Sequence, residues 1–176
     1  MKLKAKILDE QAIRRALARI SYEIVEHCNA VENLLLVGIR TRGIPLARVI
    51  AENISNIVGI QVSMVELDPT AYRDDVENFD AKKNVLERGI TLGKDVILVD
   101  DVLFTGRTVR AAIEAVLDCG RAKSIRLAVL VDRGHRELPI KADFVGKNVP
   151  TSRREEVVVR VGSVDGDFGV YIYEKD

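Results

Sequence analysis

The sequence predicts an α/β fold, a parallel sheet flanked by helices, and three observations carry that expectation. Short apolar runs near 33–37, at 96–99 and at 125–131 alternate with segments whose apolar residues recur at helical spacing. Such alternation builds parallel sheets, because parallel neighbours need a long crossover between them. Polar stretches rich in Arg, Asp and Thr follow the strands: GIRTRG, DPTAYRDD, DDVLFTGRT and DRGHREL. In open parallel sheets, ligands bind beyond the carboxyl ends of the strands. At 176 residues the chain suits a single domain, 1–176.

Taken in order, Ile13, Leu17, Ile20 and Ile24 predict an amphipathic helix over 9–29, with Asp9 as its N-cap. A strand near 33–37 leads through a Gly-containing loop to a helix opening at Pro45, since proline suits a first helical turn. Leu46, Val49, Ile50, Ile54 and Ile57 form its buried face. Residues 62–67 read as a strand. The polar, weakly patterned segment 68–95 is too long for an ordinary connection, and we read it as a hood or lid, with a surface hairpin as the alternative. The 96–99 strand is apolar on both faces. Val109, Ala112, Ile113, Val116 and Leu117 predict the next helix, closed by Gly120. A buried strand at 125–131 follows, then late strands at 157–161 and 170–173.

Composition narrows the function. A hydrophobic fraction of 47% fills a sizeable core, and 27 basic residues balance 27 acidic ones. Global basicity therefore does not point to nucleic acid, although a local patch stays open. Cys28 and Cys119 lie far apart and match no metal spacing; they read as small buried apolar groups in a reducing compartment. His27 and His135 lack the spacing of a helical zinc pair. No apolar run approaches the ~18 residues that cross a membrane, and MKLKAKILDE has no apolar core of a signal peptide. The expectation is a soluble, cytoplasmic protein with no membrane partner.

The most informative string is VILVDDVLFTGRT, 96–108. A buried strand runs into adjacent acids, Asp100 and Asp101, and then into a Thr/Gly turn that opens a helix. Like charges side by side do not serve stability, so hydroxyls or a cation should meet them. A helix N-terminus presents unpaired amides to phosphate; Gly106 allows close approach, and Thr105 and Thr108 add hydroxyls. The lysine of a P-loop is missing. A phosphate held there would place its sugar near the acids, which accept hydrogen bonds from vicinal hydroxyls or stabilise a sugar cation.

This string resembles the phosphoribosyl-pyrophosphate (PRPP) motif of the type I phosphoribosyltransferases, with Arg107 where many members carry a second glycine. Within that superfamily, DDVLFTGRTVRAA together with ILDEQAIRRAL, GIRTRG, YRDD and LAVLVDRGHRELPIKADFVGKNVPTS is similar to the pyrimidine operon attenuation regulators that are also uracil phosphoribosyltransferases. Residues 76–95 are the least similar part. The resemblance implies a type I phosphoribosyltransferase fold with a small hood, and transfer of phosphoribose from PRPP to uracil, giving UMP and diphosphate with Mg²⁺. By that resemblance Asp100 and Asp101 hold the ribose hydroxyls. Thr105, Gly106, Arg107 and Thr108 hold the 5′-phosphate, and Val99, Val102, Leu103 and Phe104 line the same site. Arg40, Thr41, Arg42 and Gly43 form a diphosphate loop, unless the arginines are ordinary surface residues. Arg73 meets the leaving diphosphate from the lid, or else pairs with Asp74 or Asp75. Asp132 and Arg133 edge the base pocket. Mg²⁺ is held mainly through PRPP, with Asp100 and Asp101 as the nearest protein carboxylates.

The same resemblance implies a UMP-dependent complex with a stem-loop in pyrimidine operon leader mRNA. Arg14, Arg15, Arg19, His135, Arg136, Lys141 and Lys147 are the RNA candidates. Read without it, they are a solvated face. Near the end of the first helix Ala18 and Tyr22 stand where the family carries polar residues. The family forms homo-oligomers, dimers or tetramers. Two other readings remain: a salvage enzyme for another base with no RNA role, and a nucleotide-sensing RNA regulator with little turnover.

Overall fold

The computed structural model describes residues 1–75 and 86–175. The five strands β2 (Leu34–Ile39), β3 (Ser63–Leu67), β4 (Asp95–Leu103), β5 (Ser124–Asp132) and β6 (Phe144–Asn148) form a parallel sheet in the order β3-β2-β4-β5-β6. Helices α1 (Glu10–His27) and α2 (Gly43–Val58) cover one face, packing on Leu34, Leu36, Ile97, Val99 and Leu130. Helix α3 (Arg107–Cys119) covers the other, packing on Leu35, Val37, Val96, Leu98, Leu127 and Val129. Successive strand residues serve opposite cores, which is why β2, β4 and β5 carry long apolar runs rather than alternating.

A second, antiparallel sheet of β1 (Lys2–Leu8), β8 (Gly169–Glu174) and β7 (Glu155–Arg160) joins the two ends of the chain, with the one-turn helix α4 (Gly162–Asp165) between β7 and β8. Its Val157, Val159, Val170 and Ile172 extend the α1–α2 core. Neither β1 nor β6 was foreseen from the sequence. KLKAKIL carries three lysines in seven residues, and FVGKN is short and partly exposed.

Several boundaries differ from expectation for local reasons. Asp9 does cap α1, its Oδ1 accepting the Ala12 amide at 2.7 Å. Helix α2 opens at Gly43 rather than Pro45. Strand β4 runs on through Asp100 and Asp101 to Leu103, so the acids lie inside the strand rather than beyond it. Leu117 is exposed, because the buried stripe of α3 passes through Val109, Ala112, Val116 and Cys119. Of the 68–95 segment, 76–85 lie outside the described residues. The following stretch is tied to the end of α3: the Gly89 amide donates to the Cys119 carbonyl at 2.6 Å, and the buried Thr91 hydroxyl bonds the Val116 and Gly120 carbonyls.

Candidate active site

Strands β4 and β5 end level, with Val102 beside Val131 and Leu103 beside Asp132, so the acidic pair and the Asp132–Arg133 pair share one edge of the sheet. Asp100 is only 8% exposed. Its Oδ1 accepts the Asp101 amide at 2.9 Å, and Asp101 Oδ1 accepts the Val102 amide at 2.8 Å. Burial, then the neighbouring Asp101 charge, pushes the Asp100 carboxyl well above the usual carboxylate range, with Arg73 pulling weakly the other way. Asp101 is also raised by burial, and the Arg42 charge is among the influences that oppose the rise. The two acids thus answer to different cations, and among the described residues neither is ion-paired, because both arginines are engaged elsewhere. This is an under-neutralised negative centre at a strand end, suited to hydroxyl donors or to a metal ion.

Beside Asp100 lies a cavity of about 300 Å³, walled by Arg73, Asp75, Leu103, Phe104, Thr105, Gly106 and Thr108. Gly106 has φ 93°, a left-handed conformation natural to glycine, and precedes the first turn of α3. The turn is held from outside, its Thr105 carbonyl accepting the Glu137 and Leu138 amides at 3.0 and 3.2 Å. Arg107 points to Asp74 and Glu137, at 2.9 and 2.8 Å. The turn's phosphate-binding capacity therefore rests on its amides and threonine hydroxyls.

Gly43 is fitted tightly under β4. A Cβ there would stand 2.2 Å from the Val99 carbonyl oxygen, so no larger residue lets α2 start this close to the acids. Val99 itself is core, its side chain buried away from the cavity. Arg42 makes a two-pronged pair with Asp165 of α4, at 3.0 and 2.8 Å, and Asp165 also accepts the Val161 amide at 2.8 Å. Arg40 and Thr41 are exposed and joined by a cis peptide bond; the Arg40 amide donates to the Leu67 carbonyl at 2.8 Å. Arg73 pairs with Asp75 at 2.8 and 2.6 Å, as one of the two sequence readings held. Tyr72 straps this stretch to α3 through Asp118 at 2.9 Å and through its carbonyl, which accepts from Arg110. Burial and Asp118 push the Tyr72 hydroxyl up to about 12.

Beyond Phe104 lies a second hollow of about 550 Å³, lined by residues 132–136, Asn148, Pro150 and Thr151. The Asp132 carboxylate is occupied by the Gly134 amide at 3.0 Å and by Arg136. Arg133 is not at the rim: it is 6% exposed, under the Phe104 ring.

The RNA candidates divide. Arg19 on α1 reaches the Val145 and Gly146 carbonyls of β6 at 3.2 and 2.7 Å, which brings it beside exposed Lys147. Arg15 is exposed one turn earlier on α1, while Arg14 pairs with Glu10 and lies over Phe168. Arg136 is spent inside its loop, on Asp132 and the Phe104 and Ile140 carbonyls, and His135 bonds the Thr151 carbonyl at 2.5 Å. Lys141 lies by Val109 and Ile113 of α3, on the other face of the sheet from α1. The seven do not form one strip. Asp165, Glu137 and Thr151 escaped sequence reasoning, because each acts by holding a distant site residue and carries no pattern of its own.

A family model described as the phosphoribosyl transferase domain matches residues 4–163. The chain is 54% identical over 174 residues to the bifunctional protein PyrR of Clostridioides difficile strain 630, covering 97% of this chain and 98% of that one. It is 54% identical over 181 residues to the bifunctional protein PyrR of Bacillus subtilis strain 168, with both chains fully covered. The hypoxanthine phosphoribosyltransferase of Trypanosoma cruzi in complex with the product IMP superposes with a TM-score of 0.76 at 16% identity, covering 98% and 95% of the two chains. A hypoxanthine-guanine phosphoribosyltransferase of Bacillus anthracis gives 0.71 at 16%, covering 97% and 98%; these two likenesses speak for the fold.

Proposed function

Because the chain belongs to the phosphoribosyltransferase family, among the bifunctional PyrR proteins, we propose that the cavity beside Asp100 is its PRPP site and that one nucleotide site serves two functions. The chain is a uracil phosphoribosyltransferase and a regulator of pyrimidine operon attenuation. The observation that carries the site assignment is the Asp100–Asp101 couple, one buried and one half-buried and without an ion pair among the described residues, directly ahead of the Thr105–Thr108 turn.

In this reading the amides and hydroxyls of 105–108 hold the 5′-phosphate at the start of α3, where the helix dipole favours an anion. Asp100 and Asp101 accept hydrogen bonds from the ribose hydroxyls. As the bond from the anomeric carbon to diphosphate breaks, positive charge grows on the sugar, and the two carboxylates beneath it become more stabilising than in the ground state. The uracil ring nitrogen bonds to that carbon and loses its proton, giving UMP and diphosphate. Arg40, Thr41, Arg42 and Gly43 receive the diphosphate; Arg73 turns from Asp75 toward it and helps to exclude water. Phe104 and Asp132 bound the base, with Arg133 behind the Phe104 ring.

Magnesium fits this donor set. The buried acids are short of positive charge, and a hard ion taking about six oxygens would draw the remainder from diphosphate and water. When bound, it would neutralise the leaving group. Further parts of the reading are a single domain over 1–176, a homo-oligomer, and a cytoplasmic location. Among the described residues, no helix is long and apolar enough to cross a membrane.

The RNA function is tested by titrating a pyrimidine-leader stem-loop in a gel shift at one stated salt concentration, with and without UMP. Binding that tightens with UMP supports the regulator; no binding in either condition refutes it. Comparing uracil, orotate, guanine and hypoxanthine as acceptors tests the salvage alternative.

A further inference from the structure

Arg133 is an anomaly. A buried charge costs stability unless it is ion-paired, and the described residues give this guanidinium no ion pair. Its partners are neutral: Nε donates to the Thr151 hydroxyl at 3.3 Å, and Nη2 to the Glu155 carbonyl at 2.6 Å. The Glu155 carboxylate is turned away, toward Lys4 and the Ser152 amide. What the guanidinium does touch is an aromatic face, its central carbon lying 4.0 Å from the centroid of the Phe104 ring. The His135 ring meets the same ring edge-on at 6.3 Å between centroids.

Phe104 is equally unusual from the other side. It is a large apolar residue left 42% exposed, it borders the cavity that holds Asp100 and Thr105, and the Arg133 behind it lines the hollow at 132–136. A ring clamped from behind and open in front is a stacking platform. A base joined to a ribose over Asp100 needs such a wall, since bases stack on aromatic faces.

Building on the transferase reading, we propose that Arg133 is a positioning residue that fixes the Phe104 ring as the wall on which the pyrimidine base stacks. Arg133 itself does not read the base. Its planar cation binds one face of the ring, with Thr151 and Glu155 fixing its plane, and the opposite face is presented to the ligand.

The test compares two ligands that differ only by the base, UMP and ribose 5-phosphate, by calorimetric titration. Stacking on an aromatic side chain contributes roughly 1–3 kcal/mol, so Phe104→Leu should weaken UMP by about tenfold or more and leave ribose 5-phosphate within twofold. Arg133→Met should weaken UMP by roughly three- to tenfold, again sparing ribose 5-phosphate. Arg133→Lys, which keeps the charge, should recover part of the loss. The double variant Phe104→Leu with Arg133→Met should be no worse than Phe104→Leu alone, because the arginine acts through the ring. Equal weakening of both ligands by Arg133→Met, or additive losses in the double variant, overturns the proposal while leaving the transferase reading intact. A wild-type protein that binds ribose 5-phosphate and UMP equally overturns it too. One that binds neither defeats the site assignment as well.

Discussion

Replacing Gly43 by alanine adds one methyl group at the tightest point of the site. That carbon would lie 2.2 Å from the Val99 carbonyl oxygen and 3.2 Å from the Asp100 Cα, both backbone atoms of β4. The first distance is over 1 Å inside ordinary contact, which begins near ~3.5 Å, and neither atom can swing aside. The start of α2 and the 40–43 loop must retreat from Asp100 by about that distance. Overpacking of this kind costs roughly 1–3 kcal/mol, and each kcal/mol lowers the melting temperature by about 2–4 °C at this size. A fall of about 2–12 °C is therefore expected. A displacement near 1 Å at a substrate-positioning loop can cost about a hundredfold in rate, so kcat/KM for PRPP should fall by that order. Gly59→Ala is the control. It sits at the other end of α2, at φ 75°, where an added carbon meets nothing within 4 Å. The left-handed backbone costs alanine about 1–2 kcal/mol, so it should lose a similar amount of stability with kcat/KM unchanged. Gly43→Ala with wild-type kcat/KM would refute the reasoning.

Other consequences concern charge. Asp100 titrates above its unfolded value, so the folded protein holds a proton that the unfolded chain releases. The resulting stabilisation is present below the unfolded carboxyl value of about 3.8 and is lost as pH rises through the folded value. Asp100→Asn should therefore raise the melting temperature of the ligand-free protein at neutral pH while abolishing transfer; a lower melting temperature would contradict it. Glu137 competes with phosphate for Arg107, through an exposed pair of modest strength. Glu137→Gln should tighten UMP binding by about twofold to fivefold in calorimetry, and weaker binding would mean that Glu137 prepares Arg107 instead. In the gel shift, Arg15→Ala with Lys147→Ala should weaken RNA and flatten the salt dependence by up to about 1–2 units of slope, with uracil transfer unchanged.

The alternation of apolar runs and helical periods made β2, β3, β4 and β5 legible, because parallel strands with long apolar runs have no other pattern; short, partly exposed β6 was not. Asp100, Asp101 and the Thr105–Thr108 turn were legible because adjacent acids at a buried strand's end have no structural use. The second sheet was legible only in part: the late strands expected at 157–161 and 170–173 are β7 and β8, but β1 was missed. β1 carries three lysines in seven residues, and it pairs with β8 from the far end of the chain, a contact that no local pattern announces. Arg133 and Arg136 read as ligand-facing only by resemblance; in the fold one is buried under Phe104 and the other braces its own loop. Arg42 was visible, but Asp165, 123 residues away and aligning it, was not.

The central claim is that the acid pair stabilises the sugar during transfer to uracil. The direct measurement is UMP formation from uracil and PRPP with Mg²⁺, comparing the wild type with Asp100→Asn/Asp101→Asn, with circular dichroism showing both folded. The account predicts turnover by the wild type and a loss of at least about a hundredfold, on the scale of removing preorganised transition-state stabilisation, in the double variant. Undiminished UMP formation by the folded variant would contradict it.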